Sequence, residues 1–365
     1  MAKVMVTDDE GLTDDLAEGE TEELHEHHRL VADAGQKPLR VDKFLTNLVA
    51  HISRSKMQQS AKAGYVRVNG VPVKSNHKVK AFDVVTIELP RPVIQFELVP
   101  EPMDLAIPYE DEHVLVLIKP AGMVVHPGNG NYTGTLIHGV AWHLQQQQLD
   151  LPPDLSTPKH RDTEIPRPGL VHRLDKDTTG VMVLGKTEMA MTELSNQFFD
   201  RTVERRYHAL VWGDLADDGT ITGHIGRSLR DRKLQSVFSD GSSGKHAVTH
   251  YKVLERLGPV TFVECKLETG RTHQIRVHMQ HIGHPLFGDV QYGGNRAVKG
   301  LQGGKYAQFL HNCFERLPRQ ALHAKTLGFT HPGTGEWLSF DSELPEDMEW
   351  VLQKWRNYLQ PAGGY

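Results

Sequence analysis

One short stretch of the chain sets several ionisable side chains between two apolar segments. It reads PGLVHRLDKDTTGVMVLGKT, residues 168–187, and its charged centre lies at 172–177. The apolar run 181–184 has the pattern of a buried strand, so a rigid scaffold would position the loop before it. A carboxylate held in that way can be a nucleophile, a base or a ligand. Asp175 is therefore the first candidate for chemistry.

The local sequence supports a structural interpretation of the same residues equally well. Aspartate and threonine side chains in turns bond to nearby backbone amides, so Asp175 and Asp177 could serve the turn alone. A third interpretation uses the two carboxylates for glycoside hydrolysis. Side chains two positions apart in a turn do not suit the defined carboxylate separation of that reaction, which makes this interpretation the weakest of the three.

Two later segments supply further candidates. ETGRTHQIRVH (268–278) follows an apolar strand, and a basic residue from it close to Asp175 would keep that carboxylate ionised. Its basic side chains are Arg271, His273 and Arg276. RRYHALVWG (205–213) brings Tyr207 to the start of an apolar run. On pattern alone, the first segment also fits a solvated polar loop, and the tyrosine fits an ordinary core aromatic better than a site residue.

Patterns that suggest a metal or a nucleotide cofactor fail in detail. Three histidines have a spacing similar to that of metal ligands: His278, His281 and His284. Gly283 and Pro285 would break the helix needed to gather them, so a structural or RNA-facing role is favoured. GNGNYTG (128–134) and GLQGGKY (300–306) lack the residue spacing of phosphate-binding loops. We therefore predict neither a metal site nor a nucleotide cofactor.

Composition narrows the class of protein. The chain has 365 residues, 38% of them hydrophobic, which is enough for two or three domains with a large core. Cys265 and Cys313 lie far apart, so a disulfide framework is not expected and a reducing compartment fits better. Neither a signal peptide nor a membrane-spanning run is visible. The sequence predicts a soluble, cytoplasmic protein that does not bind a membrane.

Charge divides the chain more sharply than the net value of −5 suggests. Residues 1–28 hold ten acidic residues and one lysine, so we expect residues 1–35 to form an acidic, disordered tail. Residues 38–92 hold ten Lys or Arg against three acidic residues. That excess predicts a small polyanion-binding domain over 36–92. A proline-rich linker is expected over 93–108, before a second domain over 109–365.

The small domain has a helix–helix–β pattern. Apolar residues recur along one helical face from Val41, and Ser53 could cap a second helix that ends near Gly64. Asn69-Gly70 is a strong hairpin-turn signal. Many short strands with few helices predict an α+β fold for the second domain, around a mixed, largely antiparallel sheet with flanking helices and loops. The basic side chains expected to bind phosphates are Arg54, Lys56, Lys62 and Lys74.

Four segments, in order, resemble the signature motifs of the RluA-type family of pseudouridine synthases. They are KPAGMVVHPGNGN (119–131), HRLDKDTTG (172–180), RRYHALVWG (205–213) and ETGRTHQIRVH (268–278). Residues 38–92 resemble the small RNA-binding module, shared with a small-subunit ribosomal protein, that many members carry. The resemblance covers about residues 38–358, and several motifs in the family's order are more specific than any one. Arg206 departs from it, because many members have lysine before the tyrosine.

The resemblance implies an enzyme that isomerises uridine in RNA, with bacterial large-subunit ribosomal RNA as its substrate. Asp175 would attack the anomeric carbon of the ribose or take a proton from the sugar, and both routes stay open. Arg271 would pair with Asp175. Tyr207 would pack against the base and assist loss of the C5 proton, and Ile275 would form an apolar wall.

The remaining implied roles concern base flipping and partners. Arg173 would fill the space left by the flipped base or clamp the RNA backbone, and His172 joins it among the substrate-binding residues. No redox change occurs, so no cofactor is expected, and we expect a monomer with RNA as its partner. The competing class is an RNA-binding protein that keeps the fold without activity. Retention of Asp175, Tyr207 and Arg271 argues against it.

Overall fold

The chain divides into two compact units, and the main boundary falls between Val99 and Pro100. In this computed structural model the described residues are 5–6, 24–49, 54–89, 94–95, 98–128, 130–146, 169–231, 233–296 and 304–359. The expected cap at Ser53 lies outside them. The boundary falls inside the segment 93–108 that the prolines indicated.

The described residues of the first unit form two helices and three small sheets. The helices are α1 (Val41–Leu48) and α2 (Arg54–Lys62). The strands are β1 (Met5–Val6), β2 (His25–Val31), β3 (Leu39–Arg40), β4 (Val66–Val68), β5 (Val71–Pro72), β6 (Lys78–Val79), β7 (Val84–Leu89) and β8 (Ile94–Gln95). The largest sheet has the strand order β2-β7-β4-β5, while β3 pairs with β6 and β1 pairs with β8.

The helical pattern read from the sequence corresponds to α1. Phe44 and Leu45 are buried against Met57 of α2, so the apolar face of one helix packs on the other and on the sheet. Asn69 and Gly70 both have positive φ, at 51° and 79°, as a two-residue hairpin turn between β4 and β5 requires. The helix–helix–hairpin prediction is therefore confirmed.

The predicted tail 1–35 is wrong in its last part. Strand β2 pairs antiparallel with β7 and becomes an edge of the largest small-unit sheet. His27 and Leu30, which looked like parts of an acidic tail, alternate with exposed neighbours along this strand. A half-buried edge strand with three histidines and few apolar residues gives a weak period-two signal, so composition hid it. Strand β8 likewise lies inside the predicted linker.

The second unit contains ten strands and five helices among its described residues. The strands are β9 (Ala106–Glu110), β10 (Val114–Lys119), β11 (Thr179–Gly185), β12 (Glu204–Trp212), β13 (Gly219–Arg227), β14 (Gln235–Phe238), β15 (Lys245–Leu257), β16 (Val260–Leu267), β17 (Leu322–Thr330) and β18 (Trp337–Asp341). The helices are α3 (Leu136–Gln146), α4 (Glu188–Asp200), α5 (Gln274–His281), α6 (Gly304–Arg316) and α7 (Glu346–Leu359).

All ten strands of this unit form one sheet. Its order is β14-β13-β15-β16-β12-β17-β11-β10-β9, and β18 pairs with β17. The β11–β17 pair is parallel, and the other pairs are antiparallel. The predicted mixed, largely antiparallel sheet is confirmed. Strand β9 begins at Ala106, so the segment 93–108 is not a linker along its whole length.

Two clusters of apolar side chains hold helices against the sheet. Trp212 of β12 and Phe262 of β16 pack against α6 and α7, where Trp355 is fully buried. Val183 of β11 packs with Leu194 of α4 in the other cluster. All seven residues of β11 are buried, as its apolar run predicted. Within the described ranges, no helix is long and apolar enough to cross a membrane.

Candidate active site

Asp175 lies in the loop 171–178 that leads directly into β11. The loop ends in a turn, because the Thr178 amide donates to the Asp175 carbonyl at 3.1 Å. The aspartate side chain is 22% exposed, so the carboxylate stays reachable while the strand that follows it is buried. The predicted arrangement of a charged loop on a rigid strand is therefore observed.

Lys119, at the end of β10, holds the loop 171–178 in place through its side chain. Its side chain is fully buried, and Nζ donates to the carbonyls of Lys176, Pro120 and Met123 at 2.8–2.9 Å. The three donors of the ammonium group are thus all used. Burial lowers the pKa of Lys119 to about 7, although the nearby charges of Asp177 and Asp175 oppose the shift. Sequence reasoning missed this residue, whose signal was a lysine closing an otherwise apolar strand.

A second cation, Arg319, holds the other side of the loop. Arg319 Nη1 donates to the Asp177 carbonyl at 3.0 Å, while its Nε and Nη2 form a two-pronged pair with Asp347 of α7 at 2.8 and 2.7 Å. Gln320 donates to the Thr178 hydroxyl at 3.2 Å. The backbone of the loop is therefore tied to the chain that precedes β17.

Gly180, the last residue of the motif HRLDKDTTG, occupies a position that only glycine fits. Its φ is +119°, and a Cβ there would lie 2.2 Å from the Ala324 carbonyl oxygen of β17. Strands β11 and β17 pair in parallel at this point. A side chain at this position would push the two strands apart, so glycine is required where the loop enters the sheet.

Arg276, near the start of α5, is the partner of the Asp175 carboxylate. Its Nη1 lies 3.0 Å from Asp175 Oδ2, while Nε and Nη2 contact Asp289 at 2.7 and 3.0 Å. Nη2 also donates to Gln291 at 2.6 Å, and the guanidinium lies 5.0 Å from the ring centroid of Tyr292. Burial alone would lower the pKa of Arg276, but its two carboxylate partners raise it. The cation is therefore permanent and cannot rotate away from Asp175.

The predicted pairing of Arg271 with Asp175 is wrong. Arg271 lies on the wall of the same cavity, but its Nε donates to the His246 carbonyl at 3.2 Å. Both arginines were visible in ETGRTHQIRVH, and the choice depended on the local backbone. His273 adopts the left-handed conformation with φ 54° and starts the helix, so Arg276 faces inward from its first turn. A single sequence does not show that left-handed start.

Tyr207 and Ile275 line the same cavity as Asp175. Tyr207 lies on β12 opposite Cys265 of β16 and is 8% exposed. Burial raises the pKa of the Tyr207 phenol, and the charge of Asp175 adds to the shift while Arg205 opposes it. The phenol therefore stays protonated near neutral pH. Ile275 is 4% exposed and gives this wall its apolar character.

His172 and Arg173 differ in whether their polar atoms remain available to a substrate. The His172 ring stacks on Phe198 at 4.6 Å, and its Nε2 accepts from the Val183 amide at 3.1 Å. Burial lowers the pKa of His172 to about 3, so the ring is neutral and this nitrogen is already used. His172 therefore holds the loop through this nitrogen, and because it also lines the cavity its predicted contact with the substrate stays a prediction. Arg173 is exposed at the cavity wall, where it can reach RNA.

The cavity around these groups has a volume of about 410 Å³. That volume lies in the range of roughly 300–1,000 Å³ that is usual for small-ligand sites. Its lining includes the polar pair Asp175 and Arg276 and the less polar side chains of Tyr207 and Ile275. The arrangement can hold a flat, partly apolar ring beside a carboxylate that is fixed in position.

Of the three histidines with metal-like spacing, two form hydrogen bonds with different parts of the protein. His278 Nδ1 contacts the Thr249 hydroxyl at 2.9 Å, and His284 Nδ1 donates to the Trp212 carbonyl at 2.7 Å. His281 is exposed at the end of α5. Within the part of the chain that the structure describes, histidine, cysteine and carboxylate side chains form no cluster of metal-ligand type.

In the small unit, one basic candidate, Arg54, contacts the buried carboxylate of Asp42. Asp42 accepts from Arg40 at 2.9 and 3.0 Å, from Arg54 at 3.1 Å and from Gln58 at 2.8 Å. Hydrogen bonds, first that from Arg40, lower the pKa of Asp42 against the effect of burial. Lys62 and Lys74 are exposed, and the Lys56 side chain lies outside the described part. Sequence reasoning missed Asp42, which holds Arg54 in place.

Two parts of the chain match known protein families. Residues 113–281 match the RNA pseudouridylate synthase family, and residues 39–85 match the S4 domain. The first range contains Asp175, Tyr207 and Arg276, and the second contains both helices of the small unit.

Individual proteins are similar over most of their length. An uncharacterized RNA pseudouridine synthase of Chlorobaculum parvum is 46% identical over 89% of this chain and 96% of its own. The ribosomal large subunit pseudouridine synthase D of Pseudomonas aeruginosa is 42% identical over 86% of this chain and 91% of its own. Among solved structures, human RNA pseudouridylate synthase domain containing 4 has a TM-score of 0.50 and 25% identity, covering 69% and 93% of the two chains.

Proposed function

The chain belongs to the RNA pseudouridylate synthase family and is an RNA uridine isomerase; we propose that its substrate is large-subunit ribosomal RNA and that Asp175 carries the chemistry. The single observation that supports the assignment of Asp175 is its ion pair with the buried, immobile Arg276 at the wall of the cavity. The pseudouridine synthase D of Pseudomonas aeruginosa supports the choice of substrate.

The reaction begins with exposure of the target base. A uridine inside a stem cannot reach Asp175, so the nucleotide must rotate out of its stack, which costs a few kcal/mol. The cavity of about 410 Å³ accepts the base. Tyr207 and Ile275 offer it a flat and an apolar contact, and Arg173 at the wall is free to occupy the space left behind or to clamp the backbone.

Asp175 then acts on the ribose. The carboxylate attacks the anomeric carbon, which breaks the bond from C1′ to N1 of uracil, or it takes the proton from C2′ while the same bond breaks. In the first route, C5 of the turned uracil bonds to C1′ while the bond from C1′ to Asp175 breaks. In the second route, C5 bonds to C1′ while Asp175 returns the proton to C2′. In both routes C5 then loses its proton and N1 gains one, so the uracil ends with no net change in protons. Arg276 holds the Asp175 carboxylate in position, because Asp289 fixes the other side of its guanidinium.

Tyr207 acts by packing in this scheme. A protonated phenol is a poor base, and burial raises the pKa of Tyr207 further from neutrality. Its ring holds the detached uracil in the cavity while it turns. This assignment narrows the expected role of the residue, since a proton-accepting tyrosine would need the opposite shift of pKa.

The S4 domain supplies affinity for the RNA backbone in this proposal. Lys62, Lys74 and the half-exposed Arg54 would contact phosphates, which fixes register without reading sequence. A ribosomal RNA substrate implies a cytoplasmic enzyme. We propose that the enzyme acts as a monomer.

The decisive experiment maps pseudouridine in ribosomal RNA from cells with and without the gene. Loss of pseudouridine at defined large-subunit positions is expected, and its return with the wild-type gene but not with Asp175→Asn would assign both substrate and residue. An unchanged large-subunit map would overturn the choice of substrate. Restoration by Asp175→Asn would overturn the assignment of the carboxylate.

A further inference from the structure

Arg205 is a partly buried arginine on the wall of the active-site cavity. Within the described residues it forms no ion pair, and its buried Nε has no hydrogen-bond acceptor. Its neighbour Arg206, by contrast, contacts Glu204 and Glu264 at 2.6–3.0 Å. A partly buried cation without an acidic partner leaves a positive charge in the cavity, which an anion from outside can neutralise.

The geometry of strand β12 places Arg205 on the side of the strand that faces the cavity. Alternate residues of a strand share a face, so Arg205 lies on the same side of β12 as Tyr207. Both line the cavity that contains Asp175. The charge of Arg205 also influences the ionisation of His172 and Tyr207, which agrees with this closeness.

Neighbouring residues support the guanidinium and leave room for it. It lies 5.4 Å from the ring centroid of Phe198, which is itself stacked on His172. On the other side, a Cβ at Gly270 would lie 3.0 Å from Arg205 Nη1. The glycine of ETGRTHQIRVH thus keeps open the space beside the side chain. Because the shielded Nε cannot be reached, the two Nη groups are the donors available to a ligand.

We propose that Arg205 binds a phosphate group of the RNA next to the flipped uridine and so positions the nucleotide for Asp175. Uracil and ribose are neutral, and the adjoining phosphodiesters are the permanent anions that a flipped nucleotide brings to the cavity. A guanidinium matches a phosphate through two parallel hydrogen bonds. Arg173 and Arg201 also line the cavity, but they are exposed, so water already solvates them, and Arg271 already donates its Nε to the His246 carbonyl.

This inference rests on the proposed function, and its test uses the full-length enzyme with a stem-loop that carries the mapped uridine. One phosphate at a time, on either side of that uridine, is replaced by a neutral methylphosphonate. For wild type, one replacement should lower kcat/KM about ten- to hundredfold, as loss of a charged hydrogen bond does. In Arg205→Met the native substrate should show a similar loss, and the same replacement should add less than about twofold.

Two variants serve as controls. Arg205→Lys should recover part of the rate and part of the phosphate sensitivity, because lysine binds phosphate as a point charge. Arg206→Met removes the adjacent arginine, which has carboxylate partners, and should keep the wild-type response to each methylphosphonate. Circular dichroism and thermal unfolding check that each variant is folded.

Several outcomes would overturn the proposal. Losses from Arg205→Met and from the methylphosphonate that simply multiply would show that the two groups do not interact. An Arg205→Met enzyme with unchanged kcat/KM would show that the cation is not used. If Arg205→Met does not fold, a wild type that tolerates every neutral phosphate would also overturn it. Failure of wild type to act on the native stem-loop would instead count against the proposed substrate.

Discussion

The active-site loop and the S4 domain use charge in opposite ways. Around Asp175 the supporting cations Lys119, Arg276 and Arg319 are all buried, and each has its donors committed to oxygen atoms of the protein. In the S4 domain the lysines at 62 and 74 are exposed and carry no such commitment. Catalysis requires one carboxylate in a fixed place, whereas affinity for a polyanion requires cations that can move to phosphates.

This difference has an energetic counterpart. Removing one partner of a buried ion pair costs about 3–5 kcal/mol, because the other charge stays buried and uncompensated. An exposed charge contributes about 0–1 kcal/mol to folding. Substitutions around the loop should therefore change both stability and turnover, and substitutions on the S4 surface should change RNA binding alone.

The largest effect is expected for Asp175→Asn. The amide keeps the size of the side chain but removes the nucleophile and base, so we expect isomerisation to fall by at least about 10⁴-fold while RNA binding persists. The measurement is single-turnover pseudouridine formation together with RNA affinity. Asp177→Asn is the matched control two positions away and should keep activity within about tenfold, since the loop uses the Asp177 carbonyl. Equal losses in both variants would favour a role in the turn for both.

Arg276→Lys is expected to rank second and to separate the two arginines of one motif. Lysine cannot contact Asp175, Asp289 and Gln291 together, so kcat should fall by about 10²–10³-fold and the melting temperature should also drop. Arg271→Lys should lose less than about tenfold. If Arg271→Lys is the more damaging of the two, Arg271 pairs with the aspartate in the RNA complex.

Lys119→Met should lower stability by a few kcal/mol, because three carbonyls lose their donor. Its pH dependence has a defined sign. Burial lowers the pKa of Lys119 from 10.5 to about 7, so between these values the unfolded chain binds more protons. The free energy of unfolding should therefore rise with pH by up to about 1.4 kcal/mol per unit from this group. Chemical denaturation at several pH values should show a flatter profile for the variant; identical slopes would contradict the shift.

The smallest effect is expected on the S4 surface. Replacing both Lys62 and Lys74 with glutamine should leave the melting temperature within about 1 °C and weaken binding to long RNA. The slope of log K against log salt should flatten by about 1.5, as for two lost phosphate contacts. Arg29→Gln is the control, since Arg29 is paired with Glu26 at 2.6 Å. A slope that the double variant leaves unchanged would show that these lysines do not contact phosphates.

Sequence patterns were sufficient where the signal was local. The buried run of β11 and the Asn69-Gly70 turn follow from periodicity and turn chemistry. The choice of partner for Asp175 did not follow, because it depends on a left-handed residue at the start of α5. Lys119 was hidden for a similar reason. Two of its acceptors, Pro120 and Met123, are close to it in sequence, but the third, Lys176, is 57 residues away from it.

Composition gave a wrong prediction for the segment that contains β2, which has few apolar residues. Strand β2 lies at the end of a strongly acidic segment, and its pairing with β7 supplies the order that its own residues do not. A tail and an edge strand of this kind have the same residue content. Pairing with a neighbouring strand decides between them, and a single sequence does not reveal that neighbour.

The two-pronged pair between Arg319 and Asp347 has a consequence for how the enzyme is made. It links the support of the catalytic loop to α7, the last helix that the structure describes. During translation, Asp175 is synthesised well before Asp347. On a nascent chain, Arg319 beside the loop therefore lacks its carboxylate partner at first. Arg319 is therefore expected to hold the loop fully only once α7 has been synthesised and has folded.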